Sequence, residues 1–232
     1  MARSILEKYE KSLDESFSKP KELSLNYETL DSFSSNLLKK AEKNNYVLCS
    51  KYGHSPRLIL FGFTHSDRPK IDQENQLVDI LSSCLSENDV LLLEGDGGYE
   101  IDYSSDQNSL VQKLKDVLIS KKIKSFCNEK PLFLGKALVA SSQLAYFKEQ
   151  KNGQVDKNDP EYRRLVKNFY DTLKIRDDNF CYDNQRGIVS LYNTLSEGSK
   201  IYQLLGTMHI HLGFIRRNLR KEKIPYYFLV PK

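Results

Sequence analysis

Short apolar runs that alternate with helical stripes are the feature of this sequence that most limits its fold. Four such runs lie at residues 58–61, 90–93, 201–205 and 226–230. Runs of this length with little polar alternation are typical of strands that helices cover on both faces. The first two runs are separated by a helical stripe, which consists of Leu77, Ile80, Leu81, Cys84 and Leu85. We therefore expect an α/β fold with a central mixed sheet, flanked by helices and containing a strand–helix–strand crossover.

The segments around these runs predict further elements of both kinds. Residues 46–50 and 57–63 flank a turn, so they form either a hairpin or a short strand that leads into a buried strand. The other elements expected are helices at 110–119 and 136–150, a helix opened by Pro160, a helix at 188–195 ended by Gly198, a basic helix around 215–219 and a short strand at 132–134.

The first fifty residues carry a different pattern from the rest of the chain. Apolar residues recur at helical spacing from Ile5 to Phe17 and again from Leu30 to Ala41, and Pro20 separates the two stripes. The sequence therefore predicts a helical N-terminal extension over residues 1–50, followed by an α/β domain over residues 51–232.

Charge, hydropathy and cysteine usage exclude several classes of protein. Lys and Arg number 35 against 31 Asp and Glu, and a net charge of +4 is too small to indicate a nucleic-acid partner. The apolar runs are far shorter than the roughly 18 to 20 residues of a membrane span, and charges interrupt the start of the chain where a secretory signal needs an apolar core. Four cysteines without paired spacing are typical of reduced thiols. We expect a cytoplasmic protein with neither a membrane nor a nucleic-acid partner, and the sequence leaves its oligomeric state open.

Two segments repeat one pattern, an apolar strand followed by Gly-x-x-His. They end in Gly62-Phe-Thr-His65 and Gly206-Thr-Met-His209, and Glu94 has the same place at the end of the run at 90–93. Loops at the carboxyl ends of strands in open α/β sheets carry ligand-binding and catalytic groups. The sequence therefore offers two imidazoles and one carboxylate at three strand ends, which form a candidate site.

Four ordered motifs resemble a known superfamily. The two Gly-x-x-His motifs, the strand-terminal Glu94 and the pair Arg176-Asp177 are similar to those of the superfamily that includes the Tiki proteases, the TraB pheromone-shutdown proteins, the erythromycin esterase-like enzymes and the ChaN-like haem-binding proteins. In that superfamily the Arg-Asp pair belongs to a helix start. The resemblance covers roughly residues 57 to 230, and Phe63 replaces the acidic residue that usually follows the first glycine in the esterase branch.

This resemblance implies a hydrolase of the peptidase or esterase type that acts on a small molecule or a peptide. His65, Glu94 and His209 then either bind a divalent metal, such as manganese, cobalt or zinc, or act directly as acid and base. Arg176 is expected to bind a substrate carboxylate, to stabilise an oxyanion or to form a structural salt bridge. The alternative implied by the ChaN-like branch is a protein that binds haem or another ligand without turnover.

The candidate site can form only if its strands have a particular arrangement. The strands that end at Gly62, Glu94 and Gly206 must be parallel neighbours, and Arg176 must reach the same cleft. For shared metal ligation, the ligating atoms of His65, Glu94 and His209 would lie roughly 3 to 4 Å apart.

Overall fold

The computed structural model describes residues 22–25, 29–63, 69–96, 100–103 and 109–232. Its strands are β1 (Tyr46–Tyr52), β2 (Leu58–Phe63), β3 (Val90–Asp96), β4 (Lys124–Glu129), β5 (Ile201–Gly206) and β6 (Tyr226–Pro231). Its helices are α1 (Ser32–Lys43), α2 (Pro69–Cys84), α3 (Ser109–Ser120), α4 (Pro131–Gln150), α5 (Pro160–Tyr182), α6 (Ile188–Thr194), α7 (Thr207–Leu212) and α8 (Phe214–Lys221), with a short 3₁₀ turn at Asn184–Arg186. The predicted α/β class is confirmed.

The strands form one mixed sheet in the order β1-β6-β2-β5-β3-β4. Strands β2, β3, β4, β5 and β6 all run parallel to one another, and β1 pairs antiparallel with β6 at the edge. Because β6 lies between β1 and β2, the hairpin interpretation of residues 46–63 is wrong, and β1 is the strand that leads into buried β2. The crossover from β2 through α2 to β3 is present, but β5 lies between its two strands.

Helices cover both faces of the sheet. One face packs against α1, α2 and α3, where Leu37, Leu81 and Leu114 are among the fully buried residues. The other face packs against the end of α5 and against α6, α7 and α8. A smaller apolar cluster joins α4 to α5 as an antiparallel pair. This covering on both faces explains why the strand sequences are nearly continuous apolar runs.

Three sequence predictions need correction. The strand expected at 132–134 is wrong, because Pro131 begins α4 there, and the strand in this region is β4, at 124–129. A proline at the first helical position loses no hydrogen bond, so Pro131 can begin a helix. The sequence of β4 is largely polar and lacks the apolar run from which we predict strands. The helix that follows α5 ends at Thr194, before Gly198. Arg176-Asp177 lies near the end of α5 rather than at a helix start.

The predicted N-terminal extension is only partly within the described residues. Its second helix is α1, which is capped by the Asp31 side chain and shares the hydrophobic core with β1. The stripe from Ile5 to Phe17 lies outside the described residues. The division of the chain at residue 50 stays a prediction. None of the helices described is both long and apolar enough to cross a bilayer.

Candidate functional site

The three strands that carry the site motifs are parallel neighbours, as the geometric argument requires. Strand β5 lies between β2 and β3, with Gly62 opposite Leu205 and Leu93 opposite Leu204. Their carboxyl ends therefore meet at one edge of the sheet. Helix α7 begins directly after β5 at this edge and carries His209.

Glu94 sits at the centre of this edge. One of its carboxylate oxygens, Oε1, accepts a hydrogen bond from Arg176 Nη2 at 2.6 Å. The other, Oε2, accepts a hydrogen bond from the Gly206 backbone amide. The Glu94 side chain is only 7% exposed. Both oxygens of this carboxylate are therefore held in place, one by a side chain of α5 and one by the last backbone amide of β5.

Arg176 bridges two carboxylates. Its Nε donates to Oε1 of Glu129, and its Nη2 donates to Oε2 of Glu129 at 2.8 Å as well as to Glu94. Glu129 is the last residue of β4, and Glu94 likewise lies near the end of the neighbouring strand β3. A bidentate guanidinium–carboxylate pair of this kind is strong and geometrically specific. The structural salt bridge that we considered for Arg176 is thus present.

His209 completes the group from the other side. Its Nδ1 shares a hydrogen bond with Oδ1 of Asp177, and its Nε2 lies 3.5 Å from Oε1 of Glu94. The imidazole is 3% exposed, and the Phe180 ring packs edge-on against it with centroids 5.4 Å apart. A carboxylate hydrogen-bonded to Nδ1 fixes the orientation of a histidine and leaves Nε2 as the nitrogen that can exchange a proton with another group.

The site is a buried row of alternating charges: Glu129, Arg176, Glu94, His209 and Asp177. Burial alone would lower the pKa of His209, but the carboxylates of Asp177 and Glu94 outweigh it and raise this pKa to about 10. Burial raises the pKa of the Glu129 carboxyl, and Arg176 only partly opposes that effect. At neutral pH the row therefore holds His209 as an imidazolium between two carboxylates.

Gly62, the first glycine of the paired motifs, has a packing role. A Cβ at this position would lie 2.7 Å from Cδ1 of Ile210 and 2.9 Å from Cγ2 of Thr207, and both of these residues belong to α7. The absence of a side chain at Gly62 therefore lets α7 pack closely over the end of β2. That contact places α7, and with it His209, above the sheet edge.

Of the four predicted site residues, the structure brings together Glu94, Arg176 and His209. His65 lies outside the described residues, so its place in the site stays a prediction. Sequence reasoning missed the roles of Glu129 and Asp177. Glu129 had a usable signal, a glutamate at a strand end, but β4 itself was not recognised. Asp177 lies in the Arg-Asp motif, yet only the fold shows that it faces His209.

The described part of the site does not fit a metal in this arrangement. A dication at Glu94 would lie beside the Arg176 guanidinium, which is 2.6 Å from Oε1, while Oε2 is taken by a backbone amide. Both ring nitrogens of His209 face carboxylates, so a metal or haem iron would have to displace one of them. Within the described residues, no three His, Cys, Asp or Glu side chains form a group that could hold a metal ion.

Comparisons with known proteins leave the family open. No family model, no curated protein and no solved structure matches this chain, so the resemblance to the Tiki and TraB superfamily rests on its four sequence motifs.

Proposed function

We propose that this chain is a hydrolase of the ester or peptide type that works by acid–base catalysis with Glu94 and His209. The observation that carries the proposal is the buried charge row at the carboxyl edge of the sheet. It holds a carboxylate and an imidazole 3.5 Å apart, and Asp177 supports the imidazole from behind. Buried titratable groups with specific charge partners cluster at functional sites, and a general acid or base must lie within hydrogen-bond reach of the group with which it exchanges a proton.

The proposed reaction assigns one proton transfer to each partner. Glu94 accepts a proton from water as the water oxygen bonds to the carbonyl carbon of the substrate. His209 donates the proton on Nε2 to the leaving oxygen or nitrogen as its bond to that carbon breaks. The products are a carboxylic acid and an alcohol or amine. The proton on Glu94 then returns to His209 across the 3.5 Å gap.

In the proposed reaction, Arg176 stabilises the negative charge that develops on the substrate, through its remaining nitrogen, Nη1. Its Nε and Nη2 bind the two glutamates, and among the described residues Nη1 has no hydrogen-bond partner. We assign Nη1 to the substrate oxygen on which negative charge develops, because a fixed guanidinium stabilises such a charge without reorganisation. This assignment combines the salt-bridge and oxyanion roles that the sequence left open.

The test is turnover of a panel of esters and peptides by the wild type and by Glu94→Gln. Glutamine keeps the shape of the side chain but cannot accept the proton, so we expect kcat to fall by roughly 10² to 10⁴. Glu87→Gln, which changes an exposed glutamate paired with Lys122, should keep full activity. An active Glu94→Gln enzyme, or a wild type that cleaves no member of the panel, would refute the proposal.

A chelator separates this mechanism from the metal-dependent one. Acid–base turnover should be unchanged by EDTA and by added manganese, cobalt or zinc. Activity that EDTA removes and one of these metals restores would instead support metal binding by His65, Glu94 and His209.

A further inference from the structure

Helix α4 has an apolar outer face that nothing in the described residues covers. Its inner face packs on α5 through small or medium side chains, including Ala137, Ala140 and Leu144. Its outer face carries four large apolar side chains, each more than half exposed, namely Leu132 (61%), Leu138 (58%), Val139 (58%) and Tyr146 (63%). Such a concentration of exposed apolar surface on one helix is typical of an interaction surface.

The outer face contains a seam with heptad spacing. The seam consists of Leu132, Gly135, Val139, Ser142 and Tyr146, which alternate large and small side chains and include no charge. Spacings of three and four residues place these positions in one row along the helix. Large residues in such a row act as knobs, and small residues between them leave holes for the knobs of another helix.

Gly135 is the most informative residue of the seam. A Cβ at this position would meet no atom of the described residues within 4 Å, so packing within that part of the chain does not require a glycine. A glycine inside a helix is destabilising by about 1 kcal/mol relative to alanine. A glycine on the surface of a helix lets the backbone of a second helix approach closely, as small residues do where helices pack. The seam therefore has the form of a helix-packing surface whose second helix comes from outside the described chain.

A groove lies along the same seam. It has a volume of about 720 Å³. The part of α4 that lines it runs from Pro131 to Gln143 and contributes one charged residue, Lys136, and α5 contributes Asn168 and Thr172. From Leu132 to Tyr146 the seam is roughly 21 Å long, because an α-helix rises 1.5 Å per residue. The groove between the two antiparallel helices follows about the first three turns of this seam, and a groove of this form is suited to an amphipathic helix.

We propose that the occupant of this groove is α4 of a second copy of the chain, so that α4 and α5 of both copies form a four-helix bundle. A two-fold interface must be self-complementary. An antiparallel pairing of the two seams meets this condition, since it sets Leu132 against Ser142 and Val139 against Gly135 of the other copy. An uncharged seam fits a copy of itself better than it fits a charged partner.

The exposed area is consistent with a dimer. The four large side chains expose roughly 500 Å² per copy, which is at the upper end for the largest apolar patch on a monomer. Two such faces supply about 1,000 Å², close to the lower limit of about 1,200 Å² for a specific interface. Asn168 and Thr172 of α5, which line the groove, would add to this area.

Sedimentation velocity of the full-length chain tests this proposal. We expect the wild type to be a dimer in the micromolar range. Val139→Glu places a charge in the seam and Gly135→Leu fills a hole, so each should weaken dimerisation on the order of a hundredfold. Ile119→Glu is the matched control, because Ile119 is 54% exposed on α3, away from the seam, and this variant should remain dimeric.

Circular dichroism separates loss of the interface from loss of the fold. Gly135→Leu has open space for its side chain in the monomer, so its helix content should match that of the wild type. A monomeric wild type at hundreds of micromolar would overturn the proposal. So would a dimer that survives both seam variants, or a wild-type monomer whose α4 face binds lipid vesicles instead.

Discussion

At the scale of single residues, the row of buried charges at the sheet edge dominates this protein. Two groups in the row, Arg176 and His209, each lie between two carboxylates. Burying an ion is costly unless its partners are present and well oriented. Each member of the row is therefore expected to affect both stability and chemistry, and variants can separate the two.

Replacing Asp177 with Asn should change the pH dependence of stability. The folded-state pKa of His209, about 10, is above its unfolded value of roughly 6.5, so His209 contributes stability that is complete below the unfolded value and is lost as pH rises through about 10. Without the Asp177 carboxylate, we expect the pKa of His209 to fall toward its ordinary value and this contribution to shrink. Imidazole NMR titration and denaturation at several pH values measure both effects.

Asp178→Asn is the matched control for that experiment. Asp178 is the next residue in α5 but pairs with Lys174 and Asn218 instead of His209. Its variant should keep the wild-type pH profile. A His209 that titrates near 6.5 in the wild type, or equal profiles for wild type and Asp177→Asn, would contradict the prediction.

Replacing Arg176 with Met should lower the free energy of unfolding by about 3 to 5 kcal/mol, because it leaves two neighbouring buried carboxylates without their cation. Urea denaturation measures the loss. The double variant Glu129→Gln/Arg176→Met removes one of the stranded charges and should recover part of the stability. If Arg176→Met costs less than about 1 kcal/mol, the ion pairs to Glu94 and Glu129 are not stabilising.

At the scale of elements, close packing of α7 on β2 positions His209. Gly62→Ala places a Cβ against Ile210 and Thr207, and we expect a loss of about 1 to 3 kcal/mol from overpacking. Ile210→Val removes the Cδ1 atom that lies nearest to this Cβ. It should therefore restore part of the stability of Gly62→Ala, although alone it costs about 0.5 to 1.5 kcal/mol.

Thermal and chemical denaturation of the two single variants and the double variant form a cycle that tests this contact. A coupling energy near zero would mean that α7 moves away from residue 62 and that the glycine is not needed for packing. A favourable coupling would show that Gly62 sets the position of α7.

Elements also show where patterns in the sequence mislead. The apolar residues at 132–134 belong to α4, where Leu132 is exposed, whereas the polar stretch of β4 is a strand. Most of β4 is buried, but its polar side chains have partners in the fold, such as Gln203 for Asn128 and Arg176 for Glu129, so the strand lacks a continuous apolar run. Helix α4 is apolar on its outer face as well, so periodicity does not separate it from a strand.

At the scale of the whole molecule, the central strands should be the most stable part of the sheet. Strands β2, β5 and β6 are each flanked by strands on both sides, and Leu58, Ile201 and Phe228 are completely buried. Native-state hydrogen exchange should therefore be slowest in these strands and faster in β1 and β4 at the edges. Equal protection across the sheet, or faster exchange in β5 than in β4, would contradict the strand order.

The sequence by itself determined the α/β class, the strands that carry the paired glycine motifs, and the helices with clear apolar stripes. These features follow from the spacing of apolar residues along the chain, which can be read from a short segment without knowledge of the rest of the fold. Only the tertiary structure decided that β5 inserts between β2 and β3, that Glu129 joins Glu94 through Arg176, and that Asp177 orients His209. The hydrogen bonds of the site join residues 32 to 112 positions apart, and β2 pairs with β5 across 143 positions, as in Leu58 and Ile201. Local sequence patterns do not specify such distant partners.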